Sequence, residues 1–129
     1  MRRSLPFVSL LLVLLALSAC TPSQLEVVRP AGAQVYPPTQ NVDLLYAPPT
    51  RPFTEIGVID APGEPGALRA QVLAQIRTSA QQIGADAVIL KDVSRTSPAM
   101  PRLNPTTGQM ETTGGQVIPA FKGIAIRYQ

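Results

Sequence analysis

The sequence predicts a small α+β domain with a three- to four-stranded mixed sheet, one amphipathic helix packed on one face, and the order β-β-α-β-β. Three observations support this fold class: one central segment has helical spacing, short apolar runs lie on both sides of it, and Pro or Gly separates them. Short apolar runs bounded by turn residues are typical of strands. Apolar residues at spacings of three and four are typical of a helix with one buried face.

Two predicted strands precede the helix. Residues 42–46 form a short apolar run with prolines soon after it. Residues 53–60 form the second strand, in which simple alternation puts Thr54, Ile56 and Val58 on one face.

Residues 64–84 predict the helix. Apolar residues recur along one face at Leu68, Val72, Ile76, Ser79 or Ala80, and Ile83. Pro65 suits the first helical turn, where a missing N–H breaks no hydrogen bond. Gly84 suits the left-handed conformation that ends many helices.

Two further strands follow the helix. Residues 87–93 begin with a continuous apolar run, and residues 121–129 place Ile124 and Ile126 on one face. Strand, helix and strand in this order favour a right-handed crossover between parallel strands at 53–60 and 87–93. We expect the last strand to be antiparallel to one of the others.

The segment between these strands, residues 94–120, contains four prolines and is predicted to be a long loop. Loops of this length in a compact domain are either functional or disordered, so a disordered segment, a loose hairpin and a partner-binding arm are the alternatives. Met100 and Met110 lie within it. Two thioethers without His or Cys nearby make a poor copper(I) site, so we expect no metal.

The chain begins with a segment that has the layout of a secretory signal peptide, residues 1–19. Arg2 and Arg3 precede an apolar run over residues 5–17, which is shorter than the roughly 18 apolar residues of a membrane-spanning helix. A charged start, an apolar middle and small residues at the end define such a leader. We therefore expect it to be removed.

The leader ends in Leu17-Ser18-Ala19-Cys20, which resembles the lipobox of bacterial lipoproteins. The resemblance implies a diacylglyceryl group on the Cys20 thiol, cleavage just before it, and N-acylation of the new terminus. In bacterial lipoproteins that are retained in the inner membrane, the residue after the lipidated cysteine is usually Asp, whereas this chain has Thr21. We therefore expect this protein at the periplasmic face of the outer membrane. Several acyl chains hold a protein permanently, since each methylene contributes about 0.8 kcal/mol. An ordinary signal peptide ending in a chance cysteine is the alternative.

Cleavage before Cys20 leaves residues 20–129, enough for one domain with a modest core. The chain has one Cys and no His, so after lipidation it has no thiol for a disulfide. Once the leader is removed, the chain has nine basic and eight acidic side chains. They are dispersed with few aromatic residues among them, so we expect no nucleic-acid partner.

Residues 20–41 contain four prolines and no sustained period, so they predict an extended tether between the lipid and the domain. Over about 20 residues at about 3.1 Å each, such a tether extends up to about 60 Å. Leu25, Val27 and Tyr36 leave open that part of it packs on the domain.

Three motifs, Ile56 to Ile59, residues 83–93 and residues 123–128, are similar to the α/β module shared by the RcsF stress-sensor lipoprotein and the YbjQ-type domains labelled as heavy-metal binders. The resemblance covers roughly residues 53–128 and implies their fold. RcsF has disulfides in its folded domain, and the metal label needs soft or imidazole ligands. This chain has one Cys and no His, so neither activity is expected here.

The sequence predicts no catalytic set and no enzyme. The candidate carboxylates for acid–base chemistry are Glu55, Asp60, Glu64, Asp86 and Asp92. Such chemistry needs paired groups held in a cleft, whereas strand edges, a helix start and turns are the expected places of these five. We therefore expect them to be solvated or turn-forming.

Lys122, Arg127 and Tyr128 are the candidate partner-binding residues, because a cationic and aromatic strand end can bind an anion or a protein. An edge strand whose polar end discourages aggregation is the alternative. The sequence as a whole predicts a lipoprotein held to the outer membrane by lipid, which binds, senses or scaffolds in the envelope through contacts with an envelope protein. A periplasmic domain for a small anion or a metal is the second candidate function.

Overall fold

The structure, a computed structural model, describes residues 25–129. The predicted signal peptide, Cys20 and the first residues of the predicted tether lie outside the described residues. In chain order the elements are β1 (Glu26–Val28), β2 (Asp43–Leu45), β3 (Phe53–Ala61), α1 (Arg69–Gln82), β4 (Ala87–Asp92), β5 (Arg95–Thr96), β6 (Met100–Leu103), β7 (Met110–Thr113), β8 (Val117–Ile118) and β9 (Phe121–Tyr128).

Five of these strands form one mixed sheet in the order β1-β3-β9-β4-β2. The predicted α+β class with one helix is confirmed, but the predicted strand number and order are wrong. β9 is antiparallel to both β3 and β4, so β3 and β4 run in the same direction with β9 between them. The connection from β3 through α1 to β4 leaves the width of one strand between β3 and β4. The last strand of the chain, β9, occupies this position.

The fifth strand comes from the segment predicted to be a tether. Glu26–Val28 pairs antiparallel with β3 along one edge, and the half-buried Val27 and Tyr36 pack against the core. Thr39 is held to the end of α1, with its N–H 3.0 Å from the Gln81 oxygen. Residues 25–41 therefore belong to the folded unit, which is the alternative that their apolar residues left open.

A β-bulge interrupts β3 and changes which face its residues occupy. The register against β9 shifts between Glu55 and Gly57, so Ile56 and Gly57 are both buried while Val58 is 47% exposed. The prediction that Ile56 and Val58 share a face is wrong because a bulge adds one residue and restarts the alternation.

Helix α1 begins later than the sequence predicted. Pro65 and Gly66 form a turn before it, in which the Ala67 N–H donates to the Glu64 oxygen, so Pro65 is not in the first helical turn. Leu68 is the N-cap residue and is 62% exposed. The buried side of the helix is formed by Val72, Ile76 and Ala80, followed by Ile83 just beyond it.

The end of α1 is as predicted. Gly84 has a φ of +79°, its N–H donates to the Gln81 oxygen, and the Ala85 N–H donates to the Ala80 oxygen. This pair of bonds is a Schellman motif, which satisfies two carbonyls that the helix leaves without a partner. A Cβ at Gly84 would lie 2.6 Å from both the Pro37 oxygen and the Tyr36 Cβ, so the N-terminal segment packs directly on this glycine.

The face of the sheet under α1 carries the main core. Ile59, Val88 and Phe121 alternate onto this face and are fully buried with Ile76 of the helix. Burying one such side chain contributes about 1.5–3 kcal/mol. This core lies within the unit formed by residues 25–129.

We call the opposite face of the sheet the open face. Ala87 and Ile126 on this face are fully buried. They lie at the end where β3 begins. There the Gln129 N–H donates to the Pro52 oxygen, and the Arg51 guanidinium lies over the Tyr128 ring. At the other end, the upper end, β3 and β4 finish and β9 begins. There Val28 and Val58 of the open face are about half exposed.

The predicted long loop of residues 94–120 is a hairpin extension, which we call the arm. β5 pairs with β8 near the sheet, and β6 pairs with β7 farther out. The arm leaves the sheet at the upper end, where the Val93 N–H donates to the Ala120 oxygen at 2.9 Å. The prolines did not prevent strand pairing here. Each strand of a two-stranded ladder has one side without a partner strand, and a proline whose nitrogen lies on that side removes no hydrogen bond from the ladder.

Candidate functional site

The structure does not bring the three candidate partner-binding residues together. Lys122, Arg127 and Tyr128 all lie on β9, which is the central strand of the sheet. The alternative of a polar edge strand is therefore wrong. Alternation puts Arg127 on the α1 face, whereas Lys122 and Tyr128 lie on the open face about 20 Å apart along the strand.

Arg127 connects three parts of the domain. Its Nη1 donates to the Gly84 oxygen at 2.9 Å, and its guanidinium lies 4.5 Å from the centroid of the Tyr36 ring. A cation over an aromatic ring contributes about 0.5–1 kcal/mol at exposed sites and more when shielded from water. These contacts occupy Arg127 in fastening the N-terminal segment to the end of α1.

Tyr128 is held in a similar way at the end where β3 begins. Its N–H donates to Asp86 Oδ2 at 2.9 Å, and its ring lies under the Arg51 guanidinium at 4.5 Å. Lys122 has a looser contact, since its Nζ is 3.8 Å from Asp60 Oδ2 and both side chains are about half exposed. Of the three candidates, Lys122 presents its charge most openly to solvent.

The candidate carboxylates do not converge either. Asp86 binds the backbone of β9, Asp92 binds the base of the arm, and Glu55 is an exposed residue of β3. Within residues 25–129 no group of three or more His, Cys, Asp or Glu side chains is placed to hold a metal ion. Met100 pairs with Thr113 and Met110 with Leu103, at opposite ends of the β6–β7 ladder, so the two thioethers do not share a site.

The arm is a built hairpin with an ordered turn. The Asn104 side-chain oxygen accepts hydrogen bonds from the Thr106 and Thr107 N–H groups, and its amide donates to Glu111 at 2.7 Å. Gly108 closes the turn with a φ of +69°. Asn favours such turns because its side chain bonds the backbone two residues ahead.

Large apolar side chains are exposed along this hairpin. Leu103 and Met110 lie directly opposite each other with exposures of 58% and 65%, and alternation puts Pro101 on the same face. We call these three residues the arm patch. Met100 on the other face is 70% exposed. Contiguous exposed apolar surface on a folded protein marks an interaction site.

The base of the arm is fastened by Asp92. Hydrogen bonds from the Ser94 hydroxyl and N–H, and then from Arg69, lower the pKa of Asp92 to about 2. The Arg69 Nη1 lies 2.6 Å from Asp92 Oδ2, and its guanidinium lies 4.7 Å from the Phe121 ring centroid. The same Ser94 oxygen accepts the Ala120 N–H at 3.1 Å. One carboxylate thus joins α1, β4 and both roots of the arm.

The concavities of the described chain are shallow. One of about 350 Å³ lies between the loop of residues 62–67 and the first turns of α1. Another of about 310 Å³ lies beside Met100 in the arm. Both are open to solvent, and ligand pockets usually bury most of a small molecule and hold a few convergent polar groups.

Sequence reasoning missed the fastening role of Asp92 and the use of Arg69, which lie 23 positions apart. Neither residue belongs to a local motif, so no sequence pattern marks the pair. No helix among residues 25–129 is long and apolar enough to cross a membrane. The chain matches no family model, no curated protein and no solved structure.

Proposed function

We propose that this protein is a lipid-anchored component of the bacterial envelope that binds another envelope protein through its arm. The arm patch is the observation that carries the proposal, because Leu103 and Met110 are more than half exposed on an ordered hairpin. Unbranched Met and large apolar side chains suit adaptable protein contacts. The resemblance of residues 17–20 to a lipobox supports the lipid anchor.

The short chain between the anchor and the sheet supports a position close to the membrane. Because β1 begins at Glu26, six peptide steps join Cys20 to the sheet, and they span at most about 22 Å in any conformation. β1 enters at the upper end, opposite Asp60, and the arm leaves the sheet at that same end. We therefore propose that the arm binds its partner within a few tens of ångströms of the membrane surface.

The second candidate function, binding of a small anion or a metal, has less support. Arg127 is occupied by Gly84 and Tyr36, and Lys122 lies beside Asp60. The RcsF and YbjQ resemblance supports a related fold as a proposal and names no ligand for this chain.

Two experiments test the proposal separately. Metabolic labelling with a fatty-acid analogue tests the anchor, and Cys20→Ala should abolish the label on the chain. Photoreactive residues in place of Leu103 and Met110, in cells, test the arm. We expect one envelope protein to be captured at both positions and not from Gln75 on the exposed side of α1.

A matched pair of variants distinguishes the arm patch from the arm as a whole. Leu103→Ser should abolish capture from position 110, while Arg102→Ser, one residue away on the other face of β6, should leave it intact. Captures that scatter over abundant proteins, or that Leu103→Ser leaves unchanged, contradict partner binding through the arm patch whatever the labelling experiment shows.

A further inference from the structure

Four charged side chains form a row across the open face, and their order destabilises a single copy of the chain. From β1 through β3 and β9 to β4, it consists of Glu26, Asp60, Lys122 and Lys91, each directly opposite the next. Like charges opposite each other on neighbouring strands are destabilising, and this row puts acid beside acid and base beside base. Its central contact, between Lys122 and Asp60, is long at 3.8 Å.

An apolar row lies beside the charged row, one step of the pleat farther from the upper end. It crosses all five strands of the sheet and consists of Val28, Val58, Ile124, Ile89 and Leu45. Val28 and Val58 are 53% and 47% exposed, and the other three are partly buried. α1 packs on the other face, so this row is a continuous apolar strip on the solvent side.

We propose that a second copy of this chain covers the upper part of the open face, related to the first by a two-fold axis that runs parallel to the strands between β3 and β9. Rotation about this axis places Glu26 opposite the partner's Lys91 and Asp60 opposite the partner's Lys122. A two-fold interface must be complementary to itself. The order acid, acid, base, base meets this condition. In the dimer each charge lies opposite a charge of the other sign, which offsets the like-charge repulsion within each copy.

The apolar row fits the same axis. Rotation about this axis places Val58 opposite the partner's Ile124 and Val28 opposite the partner's Ile89. Sheets packed face to face lie about 10 Å apart with strands within about 30° of each other, which the long Lys and Glu side chains can span. The two rows cover about 20 Å by about 14 Å, less than the roughly 800 Å² per partner of a stable interface. The dimer is therefore weak and forms where copies are concentrated.

Crosslinking of the full-length chain in cells tests the geometry. A photoreactive phenylalanine analogue in place of Val28 should give a covalent product of twice the chain mass, linked near Ile89 of the partner. The same analogue in place of Ala74, which is exposed on the helix side, should give no such product.

Charge reversal tests the pairing. Glu26→Lys alone or Lys91→Glu alone puts like charges at two symmetry-related contacts, so each should lower the dimer yield roughly fivefold or more. The double reversal should restore the yield to within about twofold. In one chain these residues lie three strand spacings apart, about 14 Å, so restoration has to arise between copies.

Measuring the stability of a single copy distinguishes the loss of the dimer contact from damage to the fold. Glu26→Lys faces Asp60 and Lys91→Glu faces Lys122 in the same chain, so neither reversal should lower the thermal midpoint of the purified chain. Three results overturn the proposal: no product of twice the mass, a yield that the double reversal does not restore, or a product linked to another protein or to residues 1–24. The inference depends neither on the lipid anchor nor on the arm.

Discussion

Gly84→Ala tests whether the N-terminal segment is part of the folded domain. The φ of +79° at this position costs an L-residue about 1–2 kcal/mol. In addition, the new Cβ would lie 2.6 Å from the Pro37 oxygen and from the Tyr36 Cβ, so the segment has to move away. Gly66 has a similar φ of +86°, and a Cβ there would meet no atom within 4 Å, which makes Gly66→Ala the matched control.

The difference between the two variants follows from what Gly84→Ala displaces. Moving Tyr36 removes its contact with Arg127, about 0.5–1 kcal/mol, and the hydrogen bonds of Thr39 to the end of α1, about 1 kcal/mol each. We therefore expect Gly84→Ala to lower the free energy of unfolding by about 2–3 kcal/mol more than Gly66→Ala.

Urea unfolding of residues 21–129, followed by circular dichroism, measures this difference. Hydrogen exchange at the Thr39 N–H, which donates to the Gln81 oxygen, reports on the segment itself and should accelerate only in Gly84→Ala. Equal losses of stability in the two variants, with unchanged exchange at Thr39, would refute the argument that residues 36–39 pack on the helix end.

Three further predictions concern the core, the arm base and the helix end. Ile76→Ala should lower the free energy of unfolding by about 2–5 kcal/mol because this side chain is fully buried, and a urea-unfolding loss below about 1 kcal/mol would contradict the core assignment. Because the pKa of Asp92 is lowered to about 2 in the folded chain, against about 3.9 unfolded, its stabilisation is fully present above about pH 4 and is lost as the pH falls towards 2. Asp92→Asn should flatten the stability profile in that window, and an unchanged slope in acid unfolding would count against it. Arg127→Lys should cost about 1 kcal/mol in thermal unfolding, since Lys keeps the charge but loses the planar stacking on Tyr36. An equal effect from Arg102→Lys on the exposed arm would remove the stacking argument.

Local patterns were enough to find the main elements but not their arrangement. The spacing around Ile76 and the left-handed Gly84 identify α1 and its end because both depend on neighbours within a turn. The central place of β9 depends on pairing between distant segments, and the sequence offers no local sign of it. The bulge at Ile56 also escaped prediction, since one inserted residue leaves the composition of the strand unchanged and reverses its faces.

The candidate site shows the same limit in a sharper form. Lys122, Arg127 and Tyr128 are close in sequence, but the period of a strand already separates Arg127 from the other two. The charged row on the open face shows the opposite case, because Glu26 and Lys91 come from strands far apart in the sequence. Its order becomes visible only when the registers of β1, β3, β9 and β4 are known. Functional surfaces of a sheet are properties of register as much as of sequence.

The proposed dimer and the proposed anchor constrain each other. An axis parallel to the strands leaves the upper ends of both copies on the same side, so both chains enter at Glu26 from that side. Two copies held by lipid at Cys20 in one membrane require this arrangement, because six peptide steps, at most about 22 Å of chain, join each Cys20 to Glu26 of its sheet. A face-to-face axis perpendicular to the strands would send the two Cys20 residues to opposite ends, and it would no longer place Glu26 over the partner's Lys91. The charge row and the membrane geometry are independent arguments, and both select the same symmetry axis.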